Sequence, residues 1–155
     1  MLIACVHIMF VFSKTNYMWT TEVSRTTTAT KEQIWKLWTD VPNWNIWDKD
    51  LETSEIFGDF KKGAKGVLKP VNGPKTKFTM TECEPLKSFT DRTFLPLCKM
   101  DFVHIMTETP DGLEITHKVV MTGFMTFIFS KLVGKNIEKG LPEAVEKLID
   151  IAEKR

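Results

Sequence analysis

The 155-residue sequence predicts an α+β domain in which a curved antiparallel sheet of seven strands wraps around one long C-terminal helix. Two observations lead to this prediction. Six short β candidates follow one another at a spacing of about ten residues, separated by turn signals, which indicates an antiparallel meander. An apolar stripe at helical spacing then runs through the C-terminal segment. Because both apolar surfaces need covering, we expect the helix to pack on the concave face of the sheet.

The first elements are one strand and two short helices. Residues 18–28 contain five Thr and one Val, β-branched residues that favour a strand. Thr30 and Gln33 form a capping-box signal for a first helix. The apolar residues of this helix share one face: Ile34, Leu37 and Trp38. Pro42 is suited to the first turn of a second helix, which contains Trp44 and Trp47.

Six further strands and a helix complete the order β-α-α-β6-α. The predicted strands are residues 52–60, 66–71, 75–84, 88–95, 99–109 and 113–122. Turn signals such as Lys62-Gly63 and Leu95-Pro96 separate them. The helix is predicted over residues 125–153, and we expect a kink or short break where Gly140 and Pro142 interrupt its stripe.

Charge and cysteine content limit the possible functions. The chain has 21 Lys+Arg and 20 Asp+Glu, and its net charge of +1 gives no general attraction to nucleic acid. The three cysteines are too few and odd in number for a disulfide framework. We therefore expect reduced thiols and a cytoplasmic protein that does not bind nucleic acid.

The N-terminus differs from the rest of the chain. Residues 1–12 are apolar apart from one histidine, but this run is shorter than the ~20 residues that cross a bilayer, so we expect no integral membrane segment. It also lacks the basic start of a signal peptide. We divide the chain into an apolar extension, residues 1–17, and a domain, residues 18–155. The extension is expected to be an accessory or mis-started segment, with an additional strand or a membrane-seeking tail as equal alternatives.

Most catalytic signatures are missing from the sequence. It contains no dinucleotide-binding glycine motif, no phosphate-binding loop, no paired-cysteine or zinc-protease motif and no serine-hydrolase elbow. We therefore predict no cofactor and no metal. Gly63-Ala64-Lys65-Gly66 has the spacing of an RNA-binding G-x-x-G loop, but it joins two predicted strands rather than two helices.

Four of the five tryptophans fall within 13 residues. They are Trp35, Trp38, Trp44 and Trp47. Such large aromatic side chains can pack a core and stabilise helices too short to fold alone. They can equally form an aromatic wall for a flat apolar ligand. Both interpretations stay open, and we expect Trp44 and Trp47 to contact a ligand.

Two histidines lie on neighbouring predicted strands. If residues 109–112 form a four-residue hairpin loop, paired residue numbers sum to 221 and His104 faces His117. The other inward pairs are then apolar: Met100 with Met121, Phe102 with Val119, and Met106 with Ile115. A three-residue loop with a glycine bulge would instead place the histidines on opposite faces. We favour the first register.

Paired histidines in an apolar interior have three possible roles. They can be a structural pair that satisfies its own hydrogen bonds, which we favour. They can act as general acid and base. A metal site is the weakest alternative, because Glu82 is the only further inward carboxylate that the pattern suggests.

The order of elements resembles the START-like (SRPBCC, helix-grip) superfamily, and the polyketide cyclase/dehydrase and lipid-transport branch in particular. The residues that support the resemblance are Ile34-Trp35, Trp38, the stretch 42–48 and the pattern Gly112…His117…Gly123. It implies an interior cavity between sheet and C-terminal helix that binds, or transports, a small hydrophobic molecule. The expected wall is Trp44, Trp47, Phe78, Met80, Phe102, His104, Met106, His117, Val119, Met121, Phe124 and Phe127.

The same resemblance implies an alternative function. The protein would then be a cyclase or dehydratase acting on an aromatic polyketide-like substrate, with His104 or His117 as acid or base. We favour binding without catalysis, because no nucleophile–base arrangement accompanies the imidazoles in the sequence.

Overall fold

The computed structural model describes residues 17–154. Within these residues, seven antiparallel strands form one sheet in the order β1-β7-β6-β5-β4-β3-β2. The strands are β1 Met18–Thr27, β2 Leu51–Phe57, β3 Lys65–Pro70, β4 Thr76–Glu84, β5 Ser88–Leu95, β6 Cys98–Thr109 and β7 Gly112–Thr122. A C-terminal helical segment packs on β1 and β7. This confirms the predicted α+β architecture.

Two short helices connect β1 to β2. Helix α1 (Lys31–Thr39) begins with the predicted capping box: the Thr30 hydroxyl accepts from the Gln33 amide at 3.2 Å, and the Gln33 side chain accepts from the Thr30 amide at 2.7 Å. A 3₁₀ helix (Val41–Ile46) follows, with proline in its first turn. The Trp44 indole donates to the Trp38 carbonyl at 2.9 Å, which fixes the two helices together.

The hairpin of β6 and β7 has the favoured register. His104 lies opposite His117, Met100 opposite Met121 and Phe102 opposite Val119. Thr109 pairs with Gly112, so only two residues form the turn and no bulge intervenes. The prediction that the two histidines share one face is therefore confirmed.

The C-terminal segment is helical from Thr126 to Glu153 without a gap. It consists of α2 (Thr126–Phe129), a π-helical turn (Ser130–Gly134) and α3 (Lys135–Glu153). Of the expected kink or short break at Gly140 and Pro142, the break is wrong, since α3 continues through both residues. The irregularity lies at the π-helical turn instead, where Gly134 packs against Trp19 so closely that a Cβ would lie 3.0 Å from the indole.

The core lies between α1, α3 and the concave face of the sheet. Helix α3 contributes five buried residues: Ala144, Val145, Leu148, Ile149 and Ala152. None of the helices within residues 17–154 is both long and apolar enough to span a membrane. Of the predicted extension, residues 1–17, only Tyr17 is described; the rest lies outside the described residues.

Candidate functional site

The concave face of β5, β6 and β7 forms the centre of the candidate site. Alternation along each strand turns every second side chain inward. The inward residues are Phe89, Asp91 and Thr93 on β5, Met100, Phe102, His104 and Met106 on β6, and Ile115, His117, Val119 and Met121 on β7. Most are apolar, and the four polar side chains lie in adjacent rows.

Aromatic rings enclose the histidine pair. The rings of His104 and His117 are 4.4 Å apart, centroid to centroid, at an angle of 74°. Phe89 stacks on His104 at 4.0 Å with the planes 6° apart. Trp38 lies 5.8 Å from His104 and 5.9 Å from His117, and Trp47 lies 5.8 Å from His117. The two imidazoles are thereby kept from bulk water.

This enclosure determines the charge of both rings. Burial lowers the pKa of His104 well below its usual range, and the neighbouring His117 lowers it further. Burial also lowers the pKa of His117, to about 3. Both imidazoles are therefore uncharged at neutral pH, and each can still donate one hydrogen bond and accept another.

A buried carboxyl group that was not predicted from the sequence completes the polar set. Asp91 lies opposite Met80 on one side and Phe102 on the other, and is only 2% exposed. Burial raises its pKa to about 8, a trend that the bond to its own backbone opposes, so at pH 7 the group is mostly protonated.

The carboxylate suggested for the interior, Glu82, points the other way. A β-bulge between Met80 and Glu82 shifts the register of β4, so that Cys83 lies opposite the inward Phe89. Glu82 is exposed on the outer face. The pKa of Arg92 is raised mainly by its hydrogen bond to Asp101, and the nearby charge of Glu82 adds to this effect. The prediction for Glu82 was therefore wrong, because one extra residue in a strand reverses every later side chain.

Several polar atoms of the interior have no hydrogen-bond partner among the described residues. They are His104 Nδ1, His117 Nε2, Thr93 Oγ1, Trp38 Nε1 and Trp47 Nε1. Buried polar atoms in folded proteins are nearly always paired with protein or water. The interior thus offers hydrogen-bonding capacity that the fold itself does not use.

The structure brings most of the predicted wall residues together. Nine are at most 7% exposed: Trp44, Trp47, Phe78, Met80, His104, Met106, His117, Val119 and Met121. Phe102 is half-buried on the same concave face. Trp44 packs against Phe78 and Phe89, each at 6.0 Å, so it belongs to the aromatic packing of the interior.

Two predicted wall residues lie apart from this group. Phe124 and Phe127 precede and begin the C-terminal helical segment and are 63% and 43% exposed. Their rings contact each other at 6.4 Å, and Phe127 contacts Tyr17 at 5.7 Å. They form an exposed aromatic group at the end of the sheet where β1 begins.

Metal-ligating side chains do not gather elsewhere in the part of the chain that the structure describes. In residues 17–154, no group of three or more His, Cys, Asp or Glu side chains is placed to hold a metal ion. Two open grooves of the described surface are lined by residues around Lys61–Lys65 and around Thr28–Glu32, away from the histidines.

Solved structures share this fold. The di-domain ARO/CYC StfQ from the steffimycin biosynthetic pathway has a TM-score of 0.74 at 10% identity, with 89% of this chain and 51% of that chain covered. This chain therefore spans about half of its length. Protein MLL2253 from Mesorhizobium loti has a TM-score of 0.69 at 18% identity, with 87% and 97% covered. A point mutant of Thalictrum flavum norcoclaurine synthase, solved with a transition-state analogue, has a TM-score of 0.67 at 13% identity, with 92% and 98% covered.

Similarity at the level of sequence identifies the family. A search of curated protein sequences found no significant match. The family described as polyketide cyclase / dehydrase and lipid transport matches residues 18–153, which is nearly the whole predicted domain. The chain therefore belongs to the polyketide cyclase/dehydrase and lipid transport family.

Proposed function

We propose that the protein binds a small, mainly apolar molecule between the concave face of its sheet and the C-terminal helical segment. The observation that carries this proposal is the set of unpartnered polar atoms in an otherwise apolar interior. A bound molecule would supply partners to His104, His117 and Thr93 while contacting the surrounding methionines and aromatic rings. Flexible thioethers on this face suit ligands of different shapes.

Family membership supports the same proposal. The family description includes lipid transport, and we extend the proposal to carrying the molecule as well as holding it. The free thiols of Cys83 and Cys98 support a reducing compartment, so we propose that this occurs in the cytoplasm.

Binding can be tested with a panel of hydrophobic molecules, read by native mass spectrometry and by tryptophan fluorescence. We expect a one-to-one complex and quenching of Trp47, whose indole borders the histidine pair. Changing Trp44 and Trp47 to Phe should remove most of that quenching. Trp35→Phe is the control, since Trp35 packs on Phe60 at 5.6 Å. Quenching that persists in the double variant would place the ligand elsewhere.

The second candidate is the cyclase or dehydratase activity. It is favoured by the proximity of two neutral imidazoles to a protonated carboxyl, since groups whose pKa values are driven apart can act as base and acid. A base is most effective when its pKa lies near the working pH, and burial has moved the pKa of His117 to about 3. Binding is therefore the better supported function.

Substitution of the histidines separates the two functions. For binding alone, His104→Gln and His117→Gln should each change affinity by less than about tenfold, because glutamine retains hydrogen-bonding groups. For catalysis, binding should persist while turnover falls by about 10²–10⁴. Turnover of an aromatic polyketide by the wild type, lost in either variant, would reverse our preference.

A further inference from the structure

Three of the four polar side chains of the concave face, those of Asp91, His104 and His117, lie near one another. Asp91 lies opposite Phe102, and Phe89 lies opposite His104, so Asp91 and His104 are diagonal neighbours on one face of β5 and β6. Such neighbours lie within about 7–8 Å of each other. His117 lies directly opposite His104. One carboxyl and two imidazoles are thus within reach of a single small molecule.

No cation accompanies this cluster. Among residues 17–154, no lysine or arginine is buried, and Asp91 is the only buried carboxylic acid. Arg92 points to the opposite face, where its guanidinium donates to Asp101 at 2.5 and 2.9 Å. The side chains beside Asp91 on the neighbouring strands are those of Met80 and Phe102, both apolar. An anionic ligand group placed here would have no counter-ion.

A cationic ligand would also be poorly matched. Burial keeps the Asp91 carboxyl mostly protonated at pH 7, and both histidines are uncharged. The cluster therefore presents one O–H donor, carbonyl and imidazole acceptors, and imidazole N–H donors. A hydroxyl or carbonyl group can use these without the cost of burying a charge.

We propose that the cluster of Asp91, His104 and His117 selects an uncharged, mainly apolar ligand with a hydroxyl or carbonyl group, and discriminates against carboxylate-bearing lipids. The polar group of the ligand hydrogen-bonds to Asp91 and to an unpartnered histidine nitrogen, while the rest contacts the apolar wall. This inference depends on the proposed binding function and adds the chemical class of the ligand.

The test uses four probes with one ring system at pH 7, titrated into the full chain by calorimetry. They are 2-naphthol, naphthalene, 2-naphthoate and 2-naphthylmethylammonium. We expect 2-naphthol to bind at least tenfold more tightly than each of the other three. An equal or tighter affinity for 2-naphthoate would overturn the inference while leaving the binding function in place. Tighter binding of the ammonium probe would show that Asp91 acts as a carboxylate, and would also overturn it.

Variants of the carboxyl provide a second measurement. Asp91→Asn retains an uncharged hydrogen-bonding group and should keep 2-naphthol affinity within about threefold. Asp91→Leu should remove the preference for 2-naphthol over naphthalene, while naphthalene affinity stays the same or rises. Asp150→Asn, at an exposed position of α3, is the control and should change neither ratio. A preference that survives in Asp91→Leu refutes the role of Asp91. Failure of all four probes to bind would contradict the binding function, and the inference would fall with it.

Discussion

The buried carboxyl of Asp91 should make the stability of the domain depend on pH. The isosteric substitution Asp91→Asn should remove this part of the pH dependence. Its pKa is about 8 in the folded protein, against an ordinary value of 3.8. A group whose pKa is raised by folding contributes stability below its unfolded pKa and loses it as the pH rises through the folded pKa. The free energy of unfolding should therefore fall between about pH 4 and pH 8 because of this group.

The size of the effect follows from the two pKa values. Where the native state keeps the proton and the unfolded chain has lost it, stability falls by about 1.4 kcal/mol per pH unit. Between pH 5.5 and 8.5 the contribution of Asp91 should decrease by about 3 kcal/mol. In Asp91→Asn, which is uncharged at every pH, this contribution is absent.

Other titrating groups act in the same range, so the useful quantity is the difference between wild type and variant. The pKa of His104 and that of His117 are both lowered by burial, so the histidines stabilise the fold as the pH rises towards 6.5. Burial raises the pKa of Asp48 from 3.8 to about 6, so this group lowers the stability of the fold as the pH rises between those two values. These contributions are common to both proteins and cancel.

The assay is urea unfolding, followed by circular dichroism at pH values from 5.5 to 8.5. Relative to the wild type, Asp91→Asn should gain about 3 kcal/mol of stability across that range. Asp150→Asn, at an exposed position of α3, serves as the control and should not show this gain. Parallel pH profiles for wild type and Asp91→Asn would refute the burial argument for Asp91.

Two further predictions concern packing. Leu148→Ala should destabilise the domain by about 2–5 kcal/mol, because Leu148 is fully buried. Leu132→Ala, at a residue that is 65% exposed, should change stability by less than about 0.5 kcal/mol. Similar losses for the two variants in urea unfolding would contradict the placement of the helical segment. Gly66→Ala should cost about 1–3 kcal/mol, because its Cβ would collide with the Glu55 carbonyl and the Phe78 ring, and an unchanged Tm would refute this close approach.

The fold was largely predictable because its signals are local and agree with one another. Turn residues bound each strand, and the capping box at Thr30 marks the beginning of α1. In the hairpin of β6 and β7, one register places every apolar pair inward, and the structure adopts it. A break at Pro142 was predicted from local propensity alone. The helix continues because α3 buries five of its side chains against the rest of the domain, and this packing outweighs the local cost of proline.

The candidate site was only partly predictable, because strand β5 places polar Asp91 and Thr93 inward and apolar Phe94 outward. Asp91 is 2% exposed and Phe94 is 67% exposed, so the alternation of polar and apolar residues gives no indication of the inward face. The inward face of Asp91 nevertheless follows from strand register, as it does for the two histidines. Leu95 pairs with Cys98 across a two-residue turn, and counting back from that turn places Asp91 opposite Phe102.

The inward position of Asp91 on β5 bears on function because a buried carboxyl there adds no stability to the fold. A leucine in place of Asp91 would bury apolar surface among Met80 and Phe102, while the carboxyl loses its hydration and finds no cation in return. Departures from local rules without a structural gain are most often found where a protein binds or reacts. His104 Nδ1 and His117 Nε2, which face the same interior, have no hydrogen-bond partner among the described residues. A ligand with a hydroxyl or carbonyl group would supply partners to these two nitrogens and would give the buried carboxyl beside them a function that packing does not.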